Sequence, residues 1–394
     1  MNYILFDFYE DWVNLLPLSY TRPVSEIRMG ILTIKEKWEK HLNASCGYLT
    51  RKYLQNKFKS SFADKNTYIN GSILPNRQLI QDISELKLNQ ALFSDNHLVA
   101  FKSEQEFDEV NIELVEEFER VNKAVEFTRL QFVWDIFRKN GQEIENDYHL
   151  LTAGRQSAKV NDTNRLVGEH IFIEEGVTME FATISAKGAY VYIGANSEIM
   201  EGAIIRGSFA LGEYSTVKMG AKIYGPTTVG PHSKIGGEVT NSVLLGYSNK
   251  GHEGYLGNSV LGEWCNLGAD TNISNLKNNY AEIRLWNYAE KGFAATGLQF
   301  CGLIMGDHSK CGINTMFNTG TIVGVNANIY GAGFPRNFVP SFSWGGALGF
   351  KEYQLKKAFE VNKVVMGRRD MEFDEIEKDI LLEVFEMTKK YRRF

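Results

Sequence analysis

From residue 193 to residue 235 an aliphatic side chain returns at every sixth position, through Ile193, Ile199, Ile205, Leu211, Val217, Ile223, Val229 and Ile235. The period resumes at Leu261, Leu267 and Ile273, and again at Met305, Cys311, Phe317, Val323 and Ile329. Six matches neither the 3.6-residue repeat of a helix nor the two-residue alternation of one long strand. It predicts short strands joined by tight corners on three sides of a prism, each side sending one aliphatic residue inward. The result is a parallel β-solenoid of about 18 residues per coil and about eight or nine coils over residues 166–345. The phase breaks at 236–255 and 275–300, which read as irregular stretches interrupting the solenoid. Carried back from Leu261, the phase sets Tyr255 at an inward position.

The flanks have other rhythms. Residues 1–110 alternate short apolar runs (Tyr3-Ile4-Leu5-Phe6, Tyr68-Ile69) with helical stretches such as 31–42, the pattern of an α/β domain. Residues 111–140 are charged and helix-periodic through Ile112, Val115, Phe118, Val121, Val125 and Phe132, which predicts a helical connector over 111–165. Past Gly349, two amphipathic helices are expected at 353–366 and 373–391, separated by Gly367-Arg368-Arg369-Asp370, as a helical cap over 346–394. A solenoid end exposes unpaired strand edges, and covering it is their expected role.

Glycine follows the same division: 28 of the 36 lie in residues 166–345, where repeated corners need backbone shapes that a Cβ penalises. With 43% hydrophobic and 12% aromatic residues the 394-residue chain buries a sizeable core. A net charge of −5 without a dominant basic patch excludes a nucleic-acid binder and an anionic-membrane binder. No run approaches the ~18 apolar residues of a membrane span, and Met1-Asn2-Tyr3-Ile4-Leu5-Phe6-Asp7 lacks the basic leader of a secretory signal. The four cysteines (Cys46, Cys265, Cys301, Cys311) contain no CxxC pair and make no disulfide framework, so a reduced, cytoplasmic setting is expected. The seven histidines contain no close pair of the kind a zinc hydratase needs, and no metal ligands are assigned.

Within the solenoid, residues 251–275 read GHEGYLGNSVLGEWCNLGADTNISN. This segment resembles the acetyltransferase half of the bifunctional glucosamine-1-phosphate acetyltransferase/N-acetylglucosamine-1-phosphate uridylyltransferase family, in which a GHxxYxG segment interrupts hexapeptide repeats. The resemblance implies a left-handed parallel β-helix, acetyl-CoA or another acyl-CoA as co-substrate, and a homotrimer with sites between subunits. It also implies His252 as the catalytic general base, with Tyr255, Asn266 and Asn275 binding the sugar. The chemistry agrees, because N-acyl transfer needs a neutral amine and an imidazole of pKa about 6.5 takes a proton at neutral pH. Backbone N–H groups beside Gly257, or the Asn266 amide, are candidate oxyanion donors. Where the family binds sugar phosphate with cations, this chain has Tyr224-Gly225-Pro226 and Thr240-Asn241-Ser242, and Lys222, Lys234 and Lys250 are the substitutes at hand. Lys250 is accordingly a candidate substrate residue. Arg336, Arg368 and Arg369 are candidates for the coenzyme phosphates.

In the N-terminal part, Leu16-Pro17-Leu18-Ser19-Tyr20-Thr21-Arg22-Pro23 and Ile69-Asn70-Gly71-Ser72-Ile73-Leu74 look like segments of sugar nucleotidyltransferases. That resemblance implies a diverged nucleotidyltransferase-like α/β domain, nucleotide binding at Arg22, and Mg²⁺ if the domain is active. The Gly-rich phosphate loop is replaced by Phe6-Asp7-Phe8-Tyr9-Glu10-Asp11-Trp12, and Ser72 stands where the family carries a metal-binding Asp. The expected function is a sugar-nucleotide-pathway acyltransferase acting on a sugar phosphate or nucleotide sugar. The alternative is a non-catalytic trimeric scaffold or regulatory binder of nucleotide sugars.

Overall fold

The computed structural model describes residues 2–394. Its chain divides into two units, residues up to 27 with 32–132, and 28–31 with 133–394.

The first unit is built on a six-stranded sheet of order β2-β1-β3-β5-β4-β6, with β1 at Asn2–Phe6, β2 at Cys46–Leu49, β3 at Asn66–Asn70, β4 at Gln90–Ser94, β5 at His97–Ser103 and β6 at Glu119–Asn122. Strand β1 lies between parallel β2 and β3, and its Ile4, Leu5 and Phe6 are all buried, as expected for a strand covered on both faces. Helices α1 (Tyr9–Asn14), α2 (Ile34–Leu42) and α3 (Arg77–Glu85) accompany it. The predicted helix at 31–42 starts at Ile34, because Thr33 and Glu36 form a capping box and fix the N-terminus there. The helical reading of 111–140 fails in part. Only Ile112–Val115 (α4) is helical before β6, which pairs in parallel with β4. Pairing at a sheet edge outweighs the 3.6-residue periodicity, and the charged residues of this segment are what an exposed edge strand carries. The long helix follows later, as α5 at Asp135–Thr152.

The second unit is the solenoid. One face has six strands, from Arg165–Val167 to Tyr255–Gly257. A second has nine, from Ile171–Ile173 to Phe338–Val339. A third has nine parallel strands, from Thr178–Met179 to Ser343–Gly346, and is closed by the antiparallel strand Gly349–Glu352. The aliphatic residues of the six-residue phase form the core stacks. The stretch 236–255 is not a loop: coils continue through it with shortened sides, so that Val239, Leu244, Lys250 and Leu256 take the inward places. Tyr255 therefore points outward beside Glu238, and its neighbour Leu256 fills the core. The stretch 275–300 leaves the solenoid as a hairpin, Arg284–Asn287 against Gly292–Ala295, whose Trp286 stacks on Phe338 at 4.1 Å.

One corner carries a ladder of rings. Tyr214, His232, Tyr247, Trp264 and His308 all have positive φ (52° to 61°) and stack parallel at 5.0, 4.9, 4.4 and 6.2 Å. Each is followed by a buried Ser or Cys, and several of these hydroxyls bond the next coil, as Ser215 Oγ does with Gly230 O at 2.9 Å. The glycines of this corner serve close approach rather than positive φ: a Cβ on Gly194 would lie 2.7 Å from Leu211 O on the next coil. Helices α6 (Leu355–Gly367) and α7 (Glu375–Thr388, capped by Asp374) form the predicted C-terminal pair. Phe385 packs on Phe342 of the last coil.

Candidate functional site

The corner Gly251-His252-Glu253-Gly254 carries the chain from the third face to the first. His252 is exposed there and lines a groove of about 590 Å³. Asn249 and Asn266, paired on adjacent strands of the third face, form part of its floor. Lys218, Lys234 and Lys310 reach it from other coils, and Arg368 and Arg369 enter from the end of α6. Tyr247 and Trp264 of the ring ladder make its wall. No Asp or Glu lines the groove. Cations gathered without counter-charge in a concave surface attract a polyanion. Lys310 is bound to His308 O at 2.8 Å, and burial lowers its pKa to about 8, so it is still charged at pH 7.

The sequence-predicted site residues are thereby divided. His252, Asn266, Arg368 and Arg369 share the groove. Tyr255 and Asn275 do not line it: Asn275 Nδ2 donates to Tyr255 Oη at 3.0 Å and to Asn258 Oδ1 at 2.8 Å. Burial raises the Tyr255 phenol, with the Asn275 hydrogen bond opposing, so the hydroxyl keeps its proton at neutral pH. Gly257 lies on that same strand with Tyr255, which leaves Asn266 as the oxyanion candidate at the groove. Arg336 is exposed between the last coils, apart from the groove lining. Lys250 is corrected from a substrate-facing cation to an interior residue: it is 2% exposed, inward beside Ile235, with its amine bound to backbone carbonyls. The sequence reading missed Lys218, Lys310, Tyr247 and Trp264 as groove residues. A signal was present, since Gly-x-Tyr/His/Trp-Ser/Cys recurs at 212–215, 230–233, 262–265 and 306–309.

In the first unit, polar side chains collect where parallel β1, β2 and β3 end, the usual ligand position of such sheets. Asp7, just after β1, accepts from Val24 N–H at 3.0 Å and from Thr50 Oγ1 at 2.6 Å. Burial pushes its pKa up to about 7 against these hydrogen bonds. Asp11 pairs with Arg129 at 2.5 Å and accepts from Ser72 Oγ at 2.9 Å. Arg129 also donates to His97 Nδ1 at 2.8 Å, and burial followed by the Arg129 charge lowers that imidazole's pKa. Arg22 is buried, 4% exposed. Residues 3–156 match the sugar nucleotidyl transferase family model.

Curated relatives of this chain are named as bifunctional proteins, and one of them carries both a nucleotidylyltransferase and an acetyltransferase in its name. A bifunctional sugar-1-phosphate nucleotidylyltransferase/acetyltransferase of Sulfurisphaera tokodaii is 36% identical over 100 residues, 25% of this chain and 24% of the relative. The bifunctional protein GlmU of Methanocaldococcus jannaschii is 34% identical over 89 residues, 23% of this chain and 21% of the relative. That of Wolbachia pipientis wMel is 28% identical over 192 residues, 41% and 44% of the two chains. The chain thus spans about a quarter of the length of the first two relatives it matches.

The residues of the nucleotidyltransferase-like unit do not fit Mg²⁺. A hard divalent cation needs free, ionised oxygens. Asp7 spends both carboxylate oxygens on Val24 and Thr50, and Asp11 is already neutralised by Arg129. Among the described residues there is no group of three or more His, Cys, Asp or Glu side chains that fits a metal ion. No helix among them is long and apolar enough to cross a membrane.

Proposed function

We propose that the second unit transfers an acyl group from a coenzyme A thioester to the amine of a sugar phosphate or nucleotide sugar, at the groove of His252. The observation that carries this reading is the convergence of an exposed imidazole and the Asn266 amide with five basic residues and no carboxylate. His252 takes the proton of the attacking amine as the nitrogen–carbon bond forms. The tetrahedral adduct then collapses with breaking of the carbon–sulfur bond, and the departing thiolate takes that proton from the His252 imidazolium. Asn266 donates to the tetrahedral oxyanion, and Lys218, Lys234, Lys310, Arg368 and Arg369 hold phosphates. The name of the Sulfurisphaera tokodaii relative supports the pairing of an acetyltransferase with a nucleotidyltransferase-like unit. A left-handed winding, a homotrimer and a cytoplasmic location go with this proposal. In it, Tyr255 and Asn275 serve the groove of a neighbouring copy, and Arg336 meets the coenzyme phosphates.

The test is thiol release from acetyl-CoA over a panel of amino sugars, their phosphates and their nucleotide derivatives. His252→Ala is expected to lower turnover about 10²–10⁴-fold. No turnover with any acceptor, or a variant equal to wild type, overturns the proposal. A second reading, a non-catalytic binder of nucleotide sugars, is favoured for the first unit by the engaged carboxylates of Asp7 and Asp11. Titration with nucleoside triphosphates and nucleotide sugars, with and without Mg²⁺, tests it. Binding that ignores Mg²⁺ supports the binder, and Mg²⁺-dependent turnover of a triphosphate overturns it.

A further inference from the structure

The third face sends inward a stack that runs Ile199, Val217, Ile235, Lys250, Leu267, Cys311, Ile329. Lys250 is the single amine in that stack. An amine taken from water into an aliphatic core is costly unless its hydrogens find acceptors. Here they find the two carbonyls of the corner it precedes, His252 O at 2.5 Å and Glu253 O at 3.3 Å. The carbonyls of this corner are themselves tightly placed. Glu253 O also accepts from Asp270 N–H at 3.0 Å and Gly254 O from Glu238 N–H at 3.3 Å, and a Cβ on Gly237 would lie 2.7 Å from His252 O. The corner is thus gripped from outside by neighbouring coils and from inside by one charged group.

We propose that Lys250 is a positioning residue whose buried amine holds the 251–254 corner from within the prism, fixing the backbone from which His252 stands over the groove. This rests on the acyl-transfer reading only where rate is concerned; the structural grip does not depend on it. The charged neighbours of the amine are Glu253 and Asp270, which favour its protonated form, and Lys222, which opposes it. The Cys311 thiol lies further along the same stack, beyond Leu267, and also favours the protonated form. Burial outweighs them and lowers the Lys250 pKa to about 8.

The experiment compares wild type with Lys250→Met, which suits an apolar stack, by hydrogen exchange read at the Glu238 and Asp270 amides. In the variant both are expected to exchange at least tenfold faster, while the Glu198 amide, which donates to Ser215 O on the third face several coils from Lys250, is unchanged. In wild type, after correction for intrinsic exchange, protection at the same two amides is expected to fall as pH rises through about 8, because a neutral amine donates more weakly. Unchanged exchange in the variant overturns the proposal. Should the variant fail to fold, a pH-independent protection in wild type overturns it. In the acyl-transfer assay, Lys250→Met is expected to lose at least tenfold in kcat with KM within twofold, and Lys250→Arg, which keeps the charge and the donors, to recover part of it. Loss of exchange protection with no turnover in any assay upholds the grip and rejects the acyl-transfer reading. Turnover unaffected by Lys250→Met, with His252→Ala inactive, rejects the positioning role and leaves acyl transfer standing.

Discussion

Asp7 shows how far a single residue's chemistry departs from its reading in sequence. In sequence it is one of several acids standing in place of a Gly-rich phosphate loop. In the fold it is a buried, hydrogen-bonded carboxyl with its pKa pushed up from 3.8 to about 7. Between those values the folded chain holds a proton that the unfolded chain releases, so stability is lost as pH rises through that window. The thermal midpoint is accordingly expected to fall from pH 5 to pH 8. Asp7→Asn removes the ionisation, so this slope is expected to flatten and the variant to melt above wild type at pH 8 by about 2–4 °C. Scanning calorimetry at both pH values checks this, and a steeper slope in the variant contradicts it. His252 and Asn266 were legible because they sit in a motif with its own spacing. Lys250 was not, because its inward place depends on a coil that shortens after Ile235, and a fixed six-residue phase cannot register a shortened side.

At the scale of elements, regular sides were readable and corners were not. The phase from Ile193 to Ile235 names core positions correctly, since each residue meets its counterpart on the next coil. The ring ladder was harder to read because its members are chemically mixed and the Gly-x-ring-Ser/Cys pattern breaks at Tyr247, so that their common positive φ and coil-to-coil stacking show best what unites them. Trp264 is 5% exposed between Tyr247 and His308. Trp264→Ala is expected to cost about 3 kcal/mol. Trp264→Asn should recover about 1 kcal/mol of that, since Asn tolerates positive φ as Asn196 and Asn326 do in this structure. Chemical denaturation of the three proteins ranks them, and equal losses refute the backbone argument. The α6 terminus belongs to the same scale: joint Arg368→Ala and Arg369→Ala changes are expected to raise KM for acyl-CoA at least tenfold with kcat within threefold. Initial-rate kinetics decide whether these arginines hold the coenzyme or only decorate the helix. The failed helix over 116–126 has the opposite lesson, because a local periodicity yielded to a strand partner remote in sequence.

For the molecule as a whole, the division into an α/β unit and a solenoid with helices at its end was visible in glycine distribution and hydrophobic period alone. The boundary was not, because the first unit's last strand lies in the charged stretch read as a connector. A trimer is expected in solution, with a mass three times 44.7 kDa by light scattering or sedimentation. A monomer would remove the role proposed for Tyr255 and Asn275. The hairpin between residues 275 and 300 bears on the whole molecule in another way. Its two ends return to one place, for Cys301 N–H donates to Asn275 O at 3.0 Å and the next coil resumes at Leu303 in register with the one before. A chain that leaves and re-enters at one point interrupts the winding in sequence without interrupting it in space. That junction is therefore a natural port, at which an evolving gene or an engineer can exchange one excursion for another. What an exchange would forfeit is the Trp286 and Tyr288 packing against Tyr391 that steadies the chain's last turn.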